Sequence, residues 1–225
     1  MRIVASLLIC AALMSSPAQA RCNDPIMCHE SKAHHSATSQ DETIAKLPAV
    51  VAYANANKAM HHSMNISYSG NSDIDFVRGM IPHHQGAVDM ALVELRYGKD
   101  EEVKALARWI IKWQETEIGL MKQWLLGRDS AWVAKNVDAL ETVKAYKASM
   151  AAMHQNMNIT FSGDADQDFV RGMIPHHQAA VDMAVIFTKT ARDPFLRTLA
   201  SDIIRSQRQE IAQMQEWLAA HPHHH

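Results

Sequence analysis

Cysteine is almost missing from this chain, with only Cys10, Cys22 and Cys28 among 225 residues. Cys10 lies in an apolar leader, so the remainder offers a local Cys22–Cys28 bridge or a two-thiolate metal site, and the bridge is the simpler reading. An excess of either charge is missing too. Lys and Arg number 22 against 24 Asp and Glu, a formal net charge of −2. That balance leaves no electrostatic footprint for nucleic acid and no basic segment for an anionic membrane. Beyond the first twenty residues no run approaches the roughly 18–20 apolar residues that a bilayer span needs, so no integral membrane segment is expected after the leader. Strand-like alternation is absent, and nothing reads as a β-strand. Carboxylates at inward helix positions are few, and neither half of the chain holds the Glu-x-x-His pairs of a di-iron bundle.

The residues present begin with an export signal. Arg2, the apolar stretch Ile3 to Met14 and Ala18-Gln19-Ala20 make a charged start, a hydrophobic stretch and a small-residue cleavage pattern over residues 1–20. A polar tail follows over 21–48, carrying His29, His34 and His35. A His-rich tail closes the chain at 221–225 and is set apart from the candidate ligands.

Between these ends the chain is written twice. Residues 60–125 align with 153–218 at a constant offset of 93, without a gap. Over 60–91, 24 of 32 positions are identical, against 11 of 34 over 92–125. Tighter constraint or more recent copying of the first stretch would explain this. Identities in the second stretch (Leu106, Ala107, Ile110, Ile111, Gln114, Glu117, Ile118, Met121, Trp124, Leu125) step by three and four, which marks the inner face of an amphipathic helix. The expected layout is a first repeat over 49–127 and a second over 128–220, each of three antiparallel helices. The first repeat should hold helices near 49–65, from Ser72 or Asp73 as N-cap to 97, and 100–126, ended by Gly127. The second should open with a longer helix near 131–158, and Asp193-Pro194 should start its last one. The fold class is all-α, a helical bundle.

One helix concentrates the chemistry. On a wheel of roughly 100° per residue, Met80, His83, His84, Ala87 and Met90 share a face, and Pro82 should kink the helix beside the histidines. Met60, His61 and Met64 close the preceding helix, and Met121 lies on the inner stripe of the third. All recur as Met153, His154, Met157, Met173, His176, His177, Met183 and Met214. Methionine at helical spacing is usually core filler, and a lone inward histidine is usually a hydrogen-bonded core residue. Paired histidines interleaved with methionine, in two copies, favour a metal site, because packing alone does not ask for imidazole beside thioether. Uncharged soft sulfur selects Cu(I) or Ag(I) and disfavours Ca²⁺ and Mg²⁺, whereas zinc would want Cys and carboxylate, with only Glu117 suitably placed. A further recurring stripe, Asp75, Arg78, Gln85 and Asp89, reads as a solvated face with an Asp75–Arg78 pair, or as a contact between the two repeats.

The strings DFVRGMIPHHQGAVDMA at 75–91 and DFVRGMIPHHQAAVDMA at 168–184, followed by Gln114-x-x-Glu117-Ile118-x-x-Met121-x-x-Trp124-Leu125, closely resemble the family catalogued as domain of unknown function 305, in tandem copies. The resemblance implies a ferritin-like bundle, exported to the periplasm or secreted. In CopM-type members it implies copper binding linked to copper resistance. It implies that Met80, His83, His84, Met90, Met121 and their counterparts carry the binding, with Met60, His61 and Met64 as partners. The expected function is non-enzymatic: sequestration or transfer of Cu(I), with Ag(I) as a substitute ion, a weak Cu(II) site in the N-terminal tail, and other copper-handling envelope proteins as partners. The rivals are a ferritin-like metal-dependent oxidoreductase and a helical interaction module.

Overall fold

The computed structural model describes residues 39–128 and 133–222. The leader, the Cys22–Cys28 pair, His29, His34, His35 and the last three histidines lie outside the described residues. Within them the chain is helical and contains no strand. Seven helices run in order: α1 Ser39–Ile44, α2 Pro48–Ser63, α3 Ser72–Tyr97, α4 Glu101–Leu125, α5 Glu141–Asn156, α6 Ala165–Thr188 and α7 Pro194–Ala220. The starts of α5, α6 and α7 each lie 93 residues beyond those of α2, α3 and α4.

Side-chain oxygens set most of these starts. Asp100, Asp164 and Asp193 accept from backbone N–H groups in the first turns of α4, α6 and α7, which satisfies donors that have no intrahelical partner. For α3 the cap is Asn71, whose carbonyl oxygen accepts from the N–H of Asp73 and Ile74, one residue before the position expected from sequence. α1 lies inside the stretch read as polar tail. α5 is shorter than expected, because Asn136 adopts φ 56° and Val137–Ala139 forms a 3-10 turn before the helix begins. That turn packs on Gly70, where an added Cβ would stand 2.7 Å from Ala134 Cβ and 2.8 Å from Leu140 Cδ1. Gly70 itself has φ +83°, so both its backbone and its surroundings demand glycine.

The central contact is α3 against α6. Met183 Cε rests 3.0 Å from where a Cβ on Gly79 would be, and Met90 Cε 3.1 Å from the same point on Gly172. Since 79 and 172, like 90 and 183, are offset partners, the two helices cross antiparallel about a pseudo-two-fold axis near His83 and His176. α4 packs on α3 and α7 on α6, while α2 and α5 cover the other side of α3 and α6. Reciprocal hydrogen bonds stitch the halves together. Asp73 accepts from Arg192 N at 3.0 Å, and Asp166 from Lys99 N and Asp100 N, both at 3.0 Å. Trp124 Nε1 donates to Asp193 at 2.8 Å, and Trp217 Nε1 to Asp100 at 3.3 Å.

The recurring stripe on α3 divides. Asp75 is 2 % exposed and accepts from Ser69 N, Ser69 Oγ and Gly70 N at 2.7–2.8 Å, so it clamps the loop before α3 and does not face solvent. Asp168 does the same for Ser162 and Gly163. Gln85 and Gln178 remain outside, donating to Asp89 and Asp182.

Candidate metal centre

Fourteen of the sixteen donors singled out from sequence are buried: every one of the methionines, with His83, His84, His176 and His177 at 0 % exposure. Only His61 and His154 reach the surface, where their rings stack at 4.0 Å, 8° from parallel. The imidazoles do not gather in two separate modules. His83 and His176 meet across the pseudo-axis with ring centroids 3.9 Å apart, and Met90 and Met183 each reach over the opposite helix. Met60 lies across Gly86, one turn beyond His83, with Sδ 2.5 Å from where a Cβ would stand.

Hydrogen bonds on three of the four buried rings determine which of their nitrogens is free. His84 Nε2 lies 2.7 Å from Glu117 Oε2, and His177 Nε2 lies 2.6 Å from Glu210 Oε2. His176 Nε2 lies 3.1 Å from the backbone carbonyl of His83. Carbonyl and carboxylate oxygens only accept, so each Nε2 carries the hydrogen, and in a neutral ring the lone pair is then on Nδ1. The Nδ1 atoms of His84, His176 and His177, and both nitrogens of His83, are buried without a hydrogen-bond partner. An unmade bond on a buried polar atom costs about 1–3 kcal/mol. Burial, and secondarily the neighbouring histidines, push the pKa values of His83 and His176 well below the usual imidazole value, which keeps these lone pairs available.

Glu117 and Glu210 were visible in the sequence as a recurring Gln-x-x-Glu on the inner stripe, but their task was not. They orient the rings, as outer-shell carboxylates do for metal-bound imidazole. Gln114 and Gln207 are also buried, and all four of their amide atoms lack partners. Among the described residues no three His, Cys, Asp or Glu side chains converge on one point. The soft donors buried on the helices that carry or pack against these imidazoles are thioethers.

Antiparallel helices crossing over paired, carboxylate-oriented histidines and buried methionines define a helical bundle with an imidazole–thioether core. Residues 73–218 match the family described as domain of unknown function DUF305, and the chain belongs to that family. Among solved structures, CopM in its Ag-bound form is 38 % identical, with a TM-score of 0.52, over 67 % of this chain and 97 % of that one. CopM in its Cu(I)-bound form is 37 % identical over 67 % and 98 %, with a TM-score of 0.51. A Streptomyces coelicolor DUF305 protein assigned as secreted is 28 % identical over 70 % and 99 %, with a TM-score of 0.53. A curated relative, uncharacterized protein L153 of Acanthamoeba polyphaga mimivirus, is 43 % identical over 49 residues, which are 22 % of this chain. The matched stretch spans 32 % of that relative's length. No helix among the described residues is long and apolar enough to cross a membrane.

Proposed function

We propose that this protein is an exported, non-enzymatic binder of monovalent copper that sequesters the ion or passes it to other copper-handling proteins of the envelope. The observation that carries this reading is the set of buried, unpartnered ring nitrogens on adjacent histidines, His83-His84 and His176-His177. A two-imidazole donor set with Met80, Met90, Met121, Met173, Met183 and Met214 nearby suits a soft cation of low coordination number. Met60, His61 and Met64, with Met153, His154 and Met157, would supply further donors toward the surface pair. Bound there, the ion would be held by neutral groups in a core with no formal counter-charge except Glu117 and Glu210, which favours one positive charge over two. Similarity to CopM in Ag-bound, Cu(I)-bound and Cu(II)-bound forms supports copper as the metal, and the export-type leader and the secreted relative support an envelope location.

Competition titration of Cu(I) against a coloured chelator tests the reading. Replacing His83, His84, His176 and His177 with Ala should lower affinity at least a hundredfold. Glu117→Leu with Glu210→Leu, which keeps every imidazole but frees its orientation, should lower it roughly 10–100-fold. Wild-type affinity in both variants would remove the assignment.

A further inference from the structure

α4 and α7 leave a cleft of about 320 Å³ between them, with no residue of α2 or α5 in its lining. Its walls are offset partners that have diverged. Trp109 and Trp113 on α4 face a wall where the equivalent positions, 93 residues on, are Asp202 and Ser206. Indoles on both sides would fill the space, so the cleft exists because one wall is bulky and the other small. Its floor has not diverged. Gln114 and Gln207, 3 % and 2 % exposed, line it with unpartnered amides, beside Glu117 and Glu210. Each of those carboxylates is hydrogen-bonded to one of the fully buried rings, His84 or His177, and the two side chains keep 14 % and 10 % exposure.

We propose that this cleft is the port through which the ion reaches the buried histidines, a transient cation site made of amide and carboxylate oxygens under indole faces. This rests on the copper reading above. A cation leaving water needs replacement oxygens, and the floor supplies them from two amides and two carboxylates, while Arg205 on the rim is paired with Asp202 at 2.7 Å. The same two indoles already hold a cation from outside the cleft lining, Lys112 Nζ lying 5.9 Å from the Trp109 ring centroid and 5.5 Å from that of Trp113. The volume suits an ion that still carries several waters, each occupying about 30 Å³. From the floor, one carboxylate separates the ion from each Nε2, so a Glu–His hydrogen bond that opens would let it pass. The competing route is the opening of about 720 Å³ between α2 and α5, lined by His61, His154 and Met64. It is larger, but none of the groups bonded to His84 and His177 lines it.

Stopped-flow loading with Cu(I), supplied as a labile acetonitrile complex, and with Ag(I) separates the routes, with equilibrium affinity measured in parallel. Ser206→Trp, which restores the indole of the other wall, should slow loading at least tenfold and leave affinity within twofold. Gln114→Leu with Gln207→Leu should slow it as well, again without loss of affinity. Ala151→Trp, which fills the opening between α2 and α5, should change the rate by less than twofold. Helicity by circular dichroism confirms that each variant is folded. Wild-type loading by a folded Ser206→Trp protein of normal affinity would overturn the port alone, as would slow loading confined to Ala151→Trp. A wild-type chain that takes up neither ion would overturn the copper reading and the port with it.

Discussion

Glu94 shows how far two copies of one sequence can diverge at a single buried position. Its counterpart is Phe187, which stacks on Phe76 at 4.1 Å. Glu94 is instead a fully buried carboxyl that accepts from Tyr53 Oη at 3.2 Å, with Oε1 unpartnered. Burial and the neighbouring Asp166 push its pKa up to about 8. The folded protein thus holds a proton that the unfolded chain releases near 4.5. Stability from this group is complete below pH 4.5 and is lost as pH rises toward about 8, by on the order of a few kcal/mol. His83 and His176 run the other way: their pKa values are lowered, so their contribution is present above the usual 6.5 and is lost as pH falls below it. Glu94→Gln, a neutral replacement of similar shape, should therefore match wild type in urea melts near pH 4 and exceed it near pH 8. Equal stability at both would show that the carboxyl is not protonated in the folded state. The two copies differ at 94 and 187 in the sequence itself, but only the structure shows that both residues are sealed in the core.

At the scale of helices, three glycines govern how closely elements approach, and they are not equivalent. At Gly79 and Gly172 the nearest atom is the terminal methyl of a methionine on the other helix, at 3.0 and 3.1 Å, which can rotate aside. At Gly86 the obstruction is the stem of Met60, with Sδ at 2.5 Å, Cγ at 2.6 Å and Cβ at 3.0 Å, so the α2 backbone would have to move. Alanine in a helix interior gains about 0.5–1 kcal/mol over glycine. Gly79→Ala should therefore be near neutral in thermal melts, whereas Gly86→Ala should be destabilising by about 1–3 kcal/mol through overpacking. The second copy carries Ala179 at the position equivalent to Gly86, so the glycine itself belongs to the first copy only. The helices themselves were legible from the 3- and 4-residue steps and from the Asp caps. The start of α5 was not, because a left-handed Asn136 and a 3-10 turn leave no periodic trace.

For the whole molecule, the halves are bound by bonds that run reciprocally between them. Asp73 serves the turn before α7, Asp166 the turn before α4, and the terminal tryptophans of α4 and α7 each reach the other's N-cap aspartate. A single half would expose the α3 face that α6 covers and leave these groups unpaired. Because 24 of 32 positions over 60–91 are shared with the second copy, a second first half can stand in for the missing one. Residues 39–128 expressed alone should form an isologous homodimer by light scattering. A folded, monomeric half would contradict the view that the two share one core.

Residue identity and spacing alone determined that this chain is helical, that it is written twice and that its soft donors lie on inner faces, because helical periodicity and repetition are properties of a one-dimensional string. They also singled out the histidine pairs, since imidazole beside thioether in two copies exceeds what packing requires. Only the tertiary structure decided that His83 meets His176 across a pseudo-axis, that Glu117 and Glu210 leave the Nδ1 lone pairs free, and that a cleft opens over buried glutamines. Those relations join residues 33 and 93 positions apart. They depend on how four helices cross, which no local pattern encodes.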